Sequence, residues 1–231
     1  MIMAMHQPNY IPWLGYFYKM YKSDVFVLLD VVQFPRGQSF AARNRIKTAQ
    51  GAVYLTVPVS IPKNRQGKAL YTEVQFADRK WKKKHLKTIE LSYKKAPYFE
   101  EVFPWLEAEI LKAETLIDLN IGLILKIKEF LQIKTRLVLL SEILKSFGQK
   151  TQLIIDICKA LQCDTYLSGT GGGKEYNDEA LLNQHGISLV YSDFKHPTYQ
   201  QLWGAFIPNL SIIDLLFNHG AQSREILVSS R

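Results

Sequence analysis

The apolar positions near the start of the chain follow the alternation of a parallel α/β fold. Residues 2–5 form a short apolar run that ends at the polar loop His6–Asn9, and residues 25–29 form a second run closed by Asp30. Between them, residues 13–21 have helical spacing. Short apolar runs without polar alternation are typical of strands that are buried on both faces. The order strand, helix, strand therefore predicts a βαβ unit and a parallel sheet.

A different pattern occupies the middle of the chain. Residues 53–57 and 71–76 are β-rich and are separated by glycine and proline, which predicts hairpin strands inserted at one side of the sheet. Helical periodicity then runs through residues 79–131, in three segments. We expect residues 79–131 to form a helical layer or subdomain beside the sheet.

The α/β pattern returns after residue 131. It predicts strands at 136–140, 165–167 and 187–191 and helices at 149–161, 177–184 and 212–217. We therefore expect residues 1–231 to form a single α/β domain. Its architecture would be a Rossmann-like, mostly parallel sheet with a β-hairpin insertion and an added helical layer.

Composition narrows the class of protein. Apolar residues make up 47 % of the 231 positions and charged residues 22 %, as in a packed globular protein. Two cysteines are too few for a disulfide framework. No apolar run reaches the ~18 residues of a transmembrane helix, and the first residues lack the cationic segment of a secretory signal. These features favour a cytoplasmic protein.

The positive charge is concentrated in one segment. Between residues 63 and 95, eleven Lys and Arg residues stand against three acidic ones, a surplus equal to the net charge of +8 of the whole chain. Such a cationic surface attracts phosphates, nucleic acid or anionic lipid, although a Lys-rich helix is also a common solvated surface. Trp81, among the lysines of residues 79–87, either stacks on a base or turns into the core.

A glycine-rich loop follows the strand predicted at 165–167. It runs from Ser168 through Gly169, Gly171 and Gly172 to Lys174 and leads towards a helix. Glycines let backbone N–H groups approach an anion, and Lys174 would neutralise a phosphate or carboxylate. The spacing fits neither a P-loop nor a dinucleotide fingerprint, and a flexible turn is the alternative.

Polar residues also gather where other strands are predicted to end, which is where open parallel sheets bind ligands. The candidates for a general base are His6, Asp30 and His196. Further candidates for substrate or phosphate contacts are Gln7, Asn9, Trp13, Gln33, Arg43, Asn44, Arg45, Tyr199 and Gln200. Within this set, the guanidinium groups of Arg43 and Arg45 suit a phosphate or carboxylate. The histidines and cysteines lack zinc-ligand spacing, so no metal is predicted.

Several of these motifs occur together in one known family. The blocks that carry the resemblance are Met5–Phe17, Asp24–Phe34, Arg43–Ile46, the stretch from Asp164 into the glycine-rich loop, His196–Gln200 and Phe206–Asn218. Together they resemble the WbqC-like family over nearly the whole chain. The resemblance implies a role in making bacterial surface polysaccharide such as O-antigen. The activity it suggests is transfer of glycine onto an amino sugar.

On these grounds we expect a group-transfer enzyme. Its substrate would be a nucleotide-sugar or another phosphorylated small molecule, and its donor either an aminoacyl-tRNA or an aminoacyl adenylate made from ATP. The base would be His6 or Asp30, with His196 as a rival to His6. The alternative is a nucleotide- or nucleic-acid-binding protein without catalysis that uses residues 63–95.

Overall fold

The computed structural model describes residues 1–171 and 177–230. Its strands, in chain order, are β1 (Ile2–His6), β2 (Val25–Leu28), β3 (Arg43–Thr48), β4 (Gly51–Thr56), β5 (Val59–Ser60), β6 (Gln75–Phe76), β7 (Arg136–Leu139), β8 (Thr165–Ser168) and β9 (Ser188–Tyr191). Its helices are α1 (Leu14–Tyr21), α2 (Lys80–Tyr93), α3 (Phe99–Lys112), α4 (Leu116–Phe130), α5 (Leu140–Ile143), α6 (Thr151–Leu161), α7 (Glu179–Gln184), α8 (Ile213–His219) and α9 (Ser223–Val228). Short 3₁₀ turns occur at Lys63–Arg65, Tyr71–Glu73 and Gly220–Gln222.

The described strands include a five-stranded parallel sheet with the spatial order β7-β2-β1-β8-β9. The chain first builds outward from β1 through β2 to β7, and it then returns to place β8 on the other side of β1. This reversal between β1 and β8 is the topological switch point of a Rossmann-like sheet. The α/β fold predicted from the apolar pattern is confirmed.

Alternating side chains of the central strands cover the two faces of this sheet. On one face, Ala4 and Phe26 pack into a core shared with α1, α4 and α8. On the other face, Met3, Val25 and Val27 pack against α6 and α7. Because both faces are buried, β2 is apolar at every position, which explains the unbroken runs in the sequence.

The hairpin insertion is confirmed, but the prediction for its second strand was wrong. β4 pairs with β3 in an antiparallel register from Arg43–Thr56 to Thr48–Gly51. Within the segment 71–76, the first residues form a 3₁₀ turn and only β6 is extended. Tyr71 and Val74 are both fully buried. The apolar spacing of this segment therefore reflects side chains buried beneath a turn.

Residues 80–130 contain the helices α2, α3 and α4, as the periodicity predicts. Some residues of the basic segment of α2 are buried and help to pack this helix against its neighbours. The Nζ of Lys82 is buried and donates to the backbone O of Leu111 and Ala113, at 2.9 and 2.6 Å, where α3 ends. Trp81 is only 4 % exposed, so its ring turns into the core. No helix within the described ranges is long and apolar enough to cross a bilayer.

Candidate functional site

A cavity of about 580 Å³ opens at the switch point of the sheet. β1 pairs with β2 as far as His6–Leu28, but with β8 only through Ile2–Thr165 and Met3–Tyr166. The strands β1 and β8 therefore separate towards their carboxyl ends, and the cavity lies in this opening. This is the place where open α/β sheets bind ligands.

Two of the predicted motifs line this cavity together. His6, Gln7 and Trp13 come from the end of β1 and the loop after it, and Ser168, Gly169 and Gly171 come from the end of β8. Ser168 is fixed because its Oγ accepts a hydrogen bond from Asn177 at 2.9 Å. Gly172 and Lys174, the other predicted members of the loop, lie outside the described residues.

His6 is half-buried in the wall of the cavity. Its Nδ1 lies 3.0 Å from the backbone O of Gln7, which assigns the proton to Nδ1 and leaves Nε2 as an acceptor. Its ring packs on Tyr16, with centroids 4.7 Å apart. Burial, assisted by the charge of Lys19, lowers the pKa of His6 to about 3. In the free protein the imidazole is therefore neutral near pH 7 and accepts hydrogen bonds.

Lys19, which the sequence analysis did not select, lies on α1 and lines the same cavity. It is 7 % exposed, and its Nζ donates to the backbone O of Met5 at 2.9 Å. None of the ion pairs among the described residues includes Lys19. Burial lowers the pKa of Lys19 to about 8. A buried cation without an anionic partner is costly, and such groups are concentrated at ligand sites.

Lys150 adds a second cation at the opposite wall, where α6 begins. Its backbone has φ 54° and ψ −129°, a left-handed conformation that a side chain disfavours. The described residues that line the cavity include no carboxylate. The cavity is therefore cationic, and its electrostatics favour an anionic ligand.

The entrance of α1 shapes one side of the cavity. Trp13 precedes the helix, and its ring meets Phe194 edge to face at a centroid distance of 5.2 Å. The same indole covers Gly15, where an added Cβ would lie 2.6 Å from the ring. Glycine at this position lets the indole lie flat against the first turn of α1.

The loop 7–13 is held in place by buried amides from other elements. Asn44 of β3 is 1 % exposed, and its Nδ2 donates to the backbone O of Ile11 at 2.8 Å. Asn120 of α4 is fully buried and donates to the backbone O of Pro8 at 2.8 Å. Asn44 therefore positions the loop and does not contact a ligand in the cavity, contrary to our expectation. Asn9, also buried, likewise does not line the cavity.

Asp30 and Gln33 lie outside the cavity. The carboxylate of Asp30 is buried and accepts hydrogen bonds from the backbone N, at 3.0 Å, and the Oγ of Ser141. Gln33 is exposed and donates to the backbone O of Gly67. Asp30 thus connects the end of β2 to α5, which corrects the expectation that it acts as a base.

Arg43 and Arg45 of the hairpin also lie away from the cavity. Arg43 donates to Gln38 and stacks on Tyr54, whereas Arg45 donates to the backbone O of Asn209 at 3.3 Å. The two guanidinium groups therefore do not hold a phosphate at the switch point.

Both ring nitrogens of His196 are occupied by the backbone. Its Nδ1 lies 2.8 Å from the O of Pro197, and its Nε2 accepts from the N of Asn209 at 3.1 Å. Burial lowers the pKa of His196 below its usual value. This histidine fastens the segment after β9 and has no free nitrogen for proton transfer.

Tyr199 and Gln200, which follow His196 in sequence, also hold the segment after β9 in place. The hydroxyl of Tyr199 donates to the buried carboxylate of Asp214 at 3.0 Å, and the hydroxyl of Tyr93 donates to it at 2.9 Å. The backbone O of Gln200 lies 3.0 Å from the Nε2 of His219. Tyr199 and Gln200 therefore attach the segment to α2 and α8, away from the cavity.

Comparisons with known proteins show the family of this chain. A sequence profile of the WbqC-like protein family matches residues 7–226. A relative from Mycobacterium tuberculosis (strain ATCC 25618 / H37Rv), named "Uncharacterized protein Rv1507c", is 35 % identical over 227 residues, which cover 97 % of this chain and 96 % of the relative. The profile match includes the lining residues of the cavity from Gln7 to Phe194, and it begins one residue after His6.

Proposed function

The chain belongs to the WbqC-like protein family, and from that premise we propose that it transfers an acyl group, such as glycyl, to the amine of a nucleotide-linked amino sugar. The observation that carries the proposal is the lining of the cavity at the switch point. A neutral histidine with a free acceptor nitrogen lies there beside two lysines, and the described lining residues include no carboxylate. Such a lining favours a ligand that combines negative charge with a hydrogen-bond donor.

The diphosphate of a nucleotide-sugar supplies that negative charge. Lys19 and Lys150 both line the cavity. Lys150 immediately precedes the first turn of α6, whose dipole favours an anion, whereas Lys19 lies in the last turn of α1 and contributes its own charge. Among the described residues, an added Cβ at Gly169 or Gly171 would meet nothing within 4 Å, so there is room for a ligand beside the backbone of this loop. These residues take the role that the sequence analysis gave to the two hairpin arginines, whereas the role given to Lys174, which lies outside the described residues, stays a prediction.

His6 is the proton acceptor in this proposal. In acyl transfer the amine nitrogen bonds to the carbonyl carbon of the donor, the bond from that carbon to the leaving oxygen breaks, and the amine loses a proton. The Nε2 of His6 accepts this proton. Burial is the main cause of the low pKa of His6, about 3 in the free protein, and the charge of Lys19 lowers it further. A bound diphosphate compensates the charge of Lys19 and removes that second contribution, so the substrate makes His6 a stronger base.

The acyl donor is an activated aminoacyl group, carried either by tRNA or by an adenylate formed from ATP. In the first case the leaving oxygen belongs to the terminal ribose, and in the second to the phosphate of the adenylate. The product would enter the synthesis of bacterial surface polysaccharide, in keeping with a cytoplasmic enzyme. Both donors fit the same acceptor site.

Mass spectrometry of the products tests the proposal directly. Purified protein is incubated with nucleotide-linked amino sugars and glycine, in one series with ATP and in another with glycyl-tRNA. A product heavier than the acceptor by one glycyl residue, formed in either series, identifies the donor. Absence of product together with absence of nucleotide-sugar binding would overturn the proposal, and binding without product would remove the transferase step.

A matched pair of histidine variants assigns the base. His6→Gln should lower turnover by about 10²- to 10⁴-fold while the nucleotide-sugar still binds. His185→Gln, at an exposed histidine after α7, should leave turnover unchanged. Equal effects of the two substitutions would contradict the role of His6.

A further inference from the structure

A second cavity, of about 720 Å³, lies between the β3–β4 hairpin and α2. We refer to it as the hairpin groove. Its lining residues include Tyr54 of the hairpin, Asp78 before α2, and Lys80, Trp81, Lys84 and His85 of α2. None of them lines the cavity at the switch point, so the groove is a separate site.

The buried wall of the groove contains a donor without a partner. Trp81 is 4 % exposed, and its Nε1–H meets no acceptor among the described residues. Its neighbour His85 is satisfied, with its two ring nitrogens 3.0 Å from the hydroxyl of Tyr10 and 3.1 Å from the backbone O of Thr56. Buried N–H groups almost always have an acceptor. The N–H of Trp81 is itself buried, so Trp81 contributes the wall of the groove and a ligand would contact the exposed side chains at its rim.

An aromatic ring lies open at the rim of the groove. Tyr54 on β4 is 48 % exposed. The guanidinium of Arg43 lies 4.2 Å from the centroid of this ring. An exposed tyrosine beside a stacked arginine is the combination on which nucleic-acid bases stack.

The α2 side of the groove is cationic. Lys80 and Lys84 are exposed and lie one helical turn apart. Asp78, the acidic residue in the lining, is engaged because its carboxylate accepts a hydrogen bond from the backbone N of Lys80 at 2.7 Å. Lys83 extends the exposed positive charge along α2 beyond the groove, whereas the charge of Lys87 is paired with Glu90 at 2.9 Å.

We propose that the hairpin groove binds a single strand of nucleic acid. One base stacks on Tyr54, and the adjoining phosphates lie against Lys80 and Lys84. A strand fits better than a mononucleotide because the charge continues past the groove along α2. The proposal does not depend on the acyl-transfer reaction.

Fluorescence anisotropy with a labelled oligouridylate of about 12 nucleotides tests this proposal. The affinity of the wild type should fall steeply as salt rises from about 50 to about 300 mM, because phosphate contacts release counterions. Lys80→Ala/Lys84→Ala should flatten the log–log salt slope by about 1.4, since each lysine that neutralises a phosphate contributes about 0.7 to it. The matched control is Lys145→Ala/Lys159→Ala, which removes equal charge beside α6, on the other face of the sheet. This control should leave the slope unchanged.

The stacking interaction is tested separately. Tyr54→Ala should weaken binding by about 5- to 100-fold, whereas Tyr54→Phe keeps the ring and should bind as the wild type does. Melting curves confirm that these exposed positions leave the fold intact. Equal weakening by both lysine pairs, or equal binding by the two tyrosine variants and wild type, would overturn the proposal. Displacement of the strand by equimolar uridine monophosphate would also overturn it, since the groove would then hold one nucleotide. A deoxyribose strand of the same length shows whether the 2′-hydroxyl contributes.

Discussion

Replacing Lys19 by methionine should stabilise the free protein. Lys19 is 7 % exposed, and burial lowers the pKa of its amine from 10.5 to about 8. At about 1.4 kcal/mol per pH unit, the protonated amine therefore costs the folded state about 3 kcal/mol. Methionine fills a similar volume without charge but loses the hydrogen bond to Met5, worth about 1–2 kcal/mol. The free energy of unfolding should rise by about 1–2 kcal/mol at pH 7.

The pH dependence of this gain identifies its cause. The pKa of Lys19 is lower in the folded state than in the unfolded state, so between pH 8 and pH 10.5 the unfolded chain binds more protons. The stability of the wild type therefore rises with pH over this window, and the variant lacks that contribution. The advantage of Lys19→Met should be complete at pH 7 and disappear towards pH 10.5. Urea denaturation at a series of pH values measures it.

Lys22→Met is the matched control, because Lys22 ends the same helix and does not line the cavity. It should change stability by less than about 0.5 kcal/mol at every pH. Calorimetric titration with a nucleoside diphosphate should show binding about 10- to 100-fold weaker for Lys19→Met and unchanged for Lys22→Met. A Lys19→Met protein that is equally destabilised at every pH would refute the reasoning, since the amine would then be a fully satisfied structural group.

Three further predictions follow from the same region. The pKa of His6 is about 3 in the folded protein and 6.5 in the unfolded chain, so the free energy of unfolding falls as the pH drops below 6.5. His6→Gln should remove this pH-dependent loss of stability in urea titrations between about pH 7 and pH 4. Gly15→Ala places a Cβ 2.6 Å from the Trp13 indole and should cost about 1–3 kcal/mol, with a change in tryptophan fluorescence. Asp30→Asn breaks the bonds to Ser141 and should lower the free energy of unfolding by about 1–3 kcal/mol, while turnover per folded molecule stays constant.

Each of these predictions has a control in the chain. His185→Gln, at an exposed histidine, should not reproduce the acid effect of His6→Gln. Gly169→Ala should leave the melting temperature unchanged, because an added Cβ there meets none of the described residues within 4 Å. Ser141→Ala should be as destabilising as Asp30→Asn, and the two effects should not add. A large fall in turnover with Asp30→Asn would restore this carboxylate as a candidate base.

The sequence was sufficient for the parallel sheet because burial on both faces leaves a simple signature. All five parallel strands were predicted to within one or two residues at each end. β3 was missed because charged residues obscure it. Lys47, for example, is 1 % exposed, and its Nζ donates to the backbone O of Ala205 at 2.6 Å. From sequence alone, such a lysine is expected to be exposed to solvent. Its burial is explained only by the backbone O of Ala205, a hydrogen-bond acceptor that is distant in sequence.

The sequence predicted the candidate site only for residues whose place at the end of a parallel strand is enough to bring them into the cavity. Strand ends of a parallel sheet share one edge, so His6 and Gly169 were brought together correctly. Asp30 and His196 also follow strands, but their partners, Ser141 and Asn209, are distant in sequence and occupy their polar atoms. Residue type and strand order cannot distinguish a free polar group from one that another element has already bound.

Lys19 shows which sequence signal had been overlooked. The first seven residues of α1, from Leu14 to Met20, are all buried, and Lys19 is their one charged member. A helix packed only for stability would place an apolar side chain there, since the protonated amine costs about 3 kcal/mol. A residue that destabilises the fold at its position is expected at functional sites. A lone lysine on the buried face of the helix that follows the first strand of a parallel sheet is therefore a candidate ligand-facing cation, because that helix lines the cavity at the switch point.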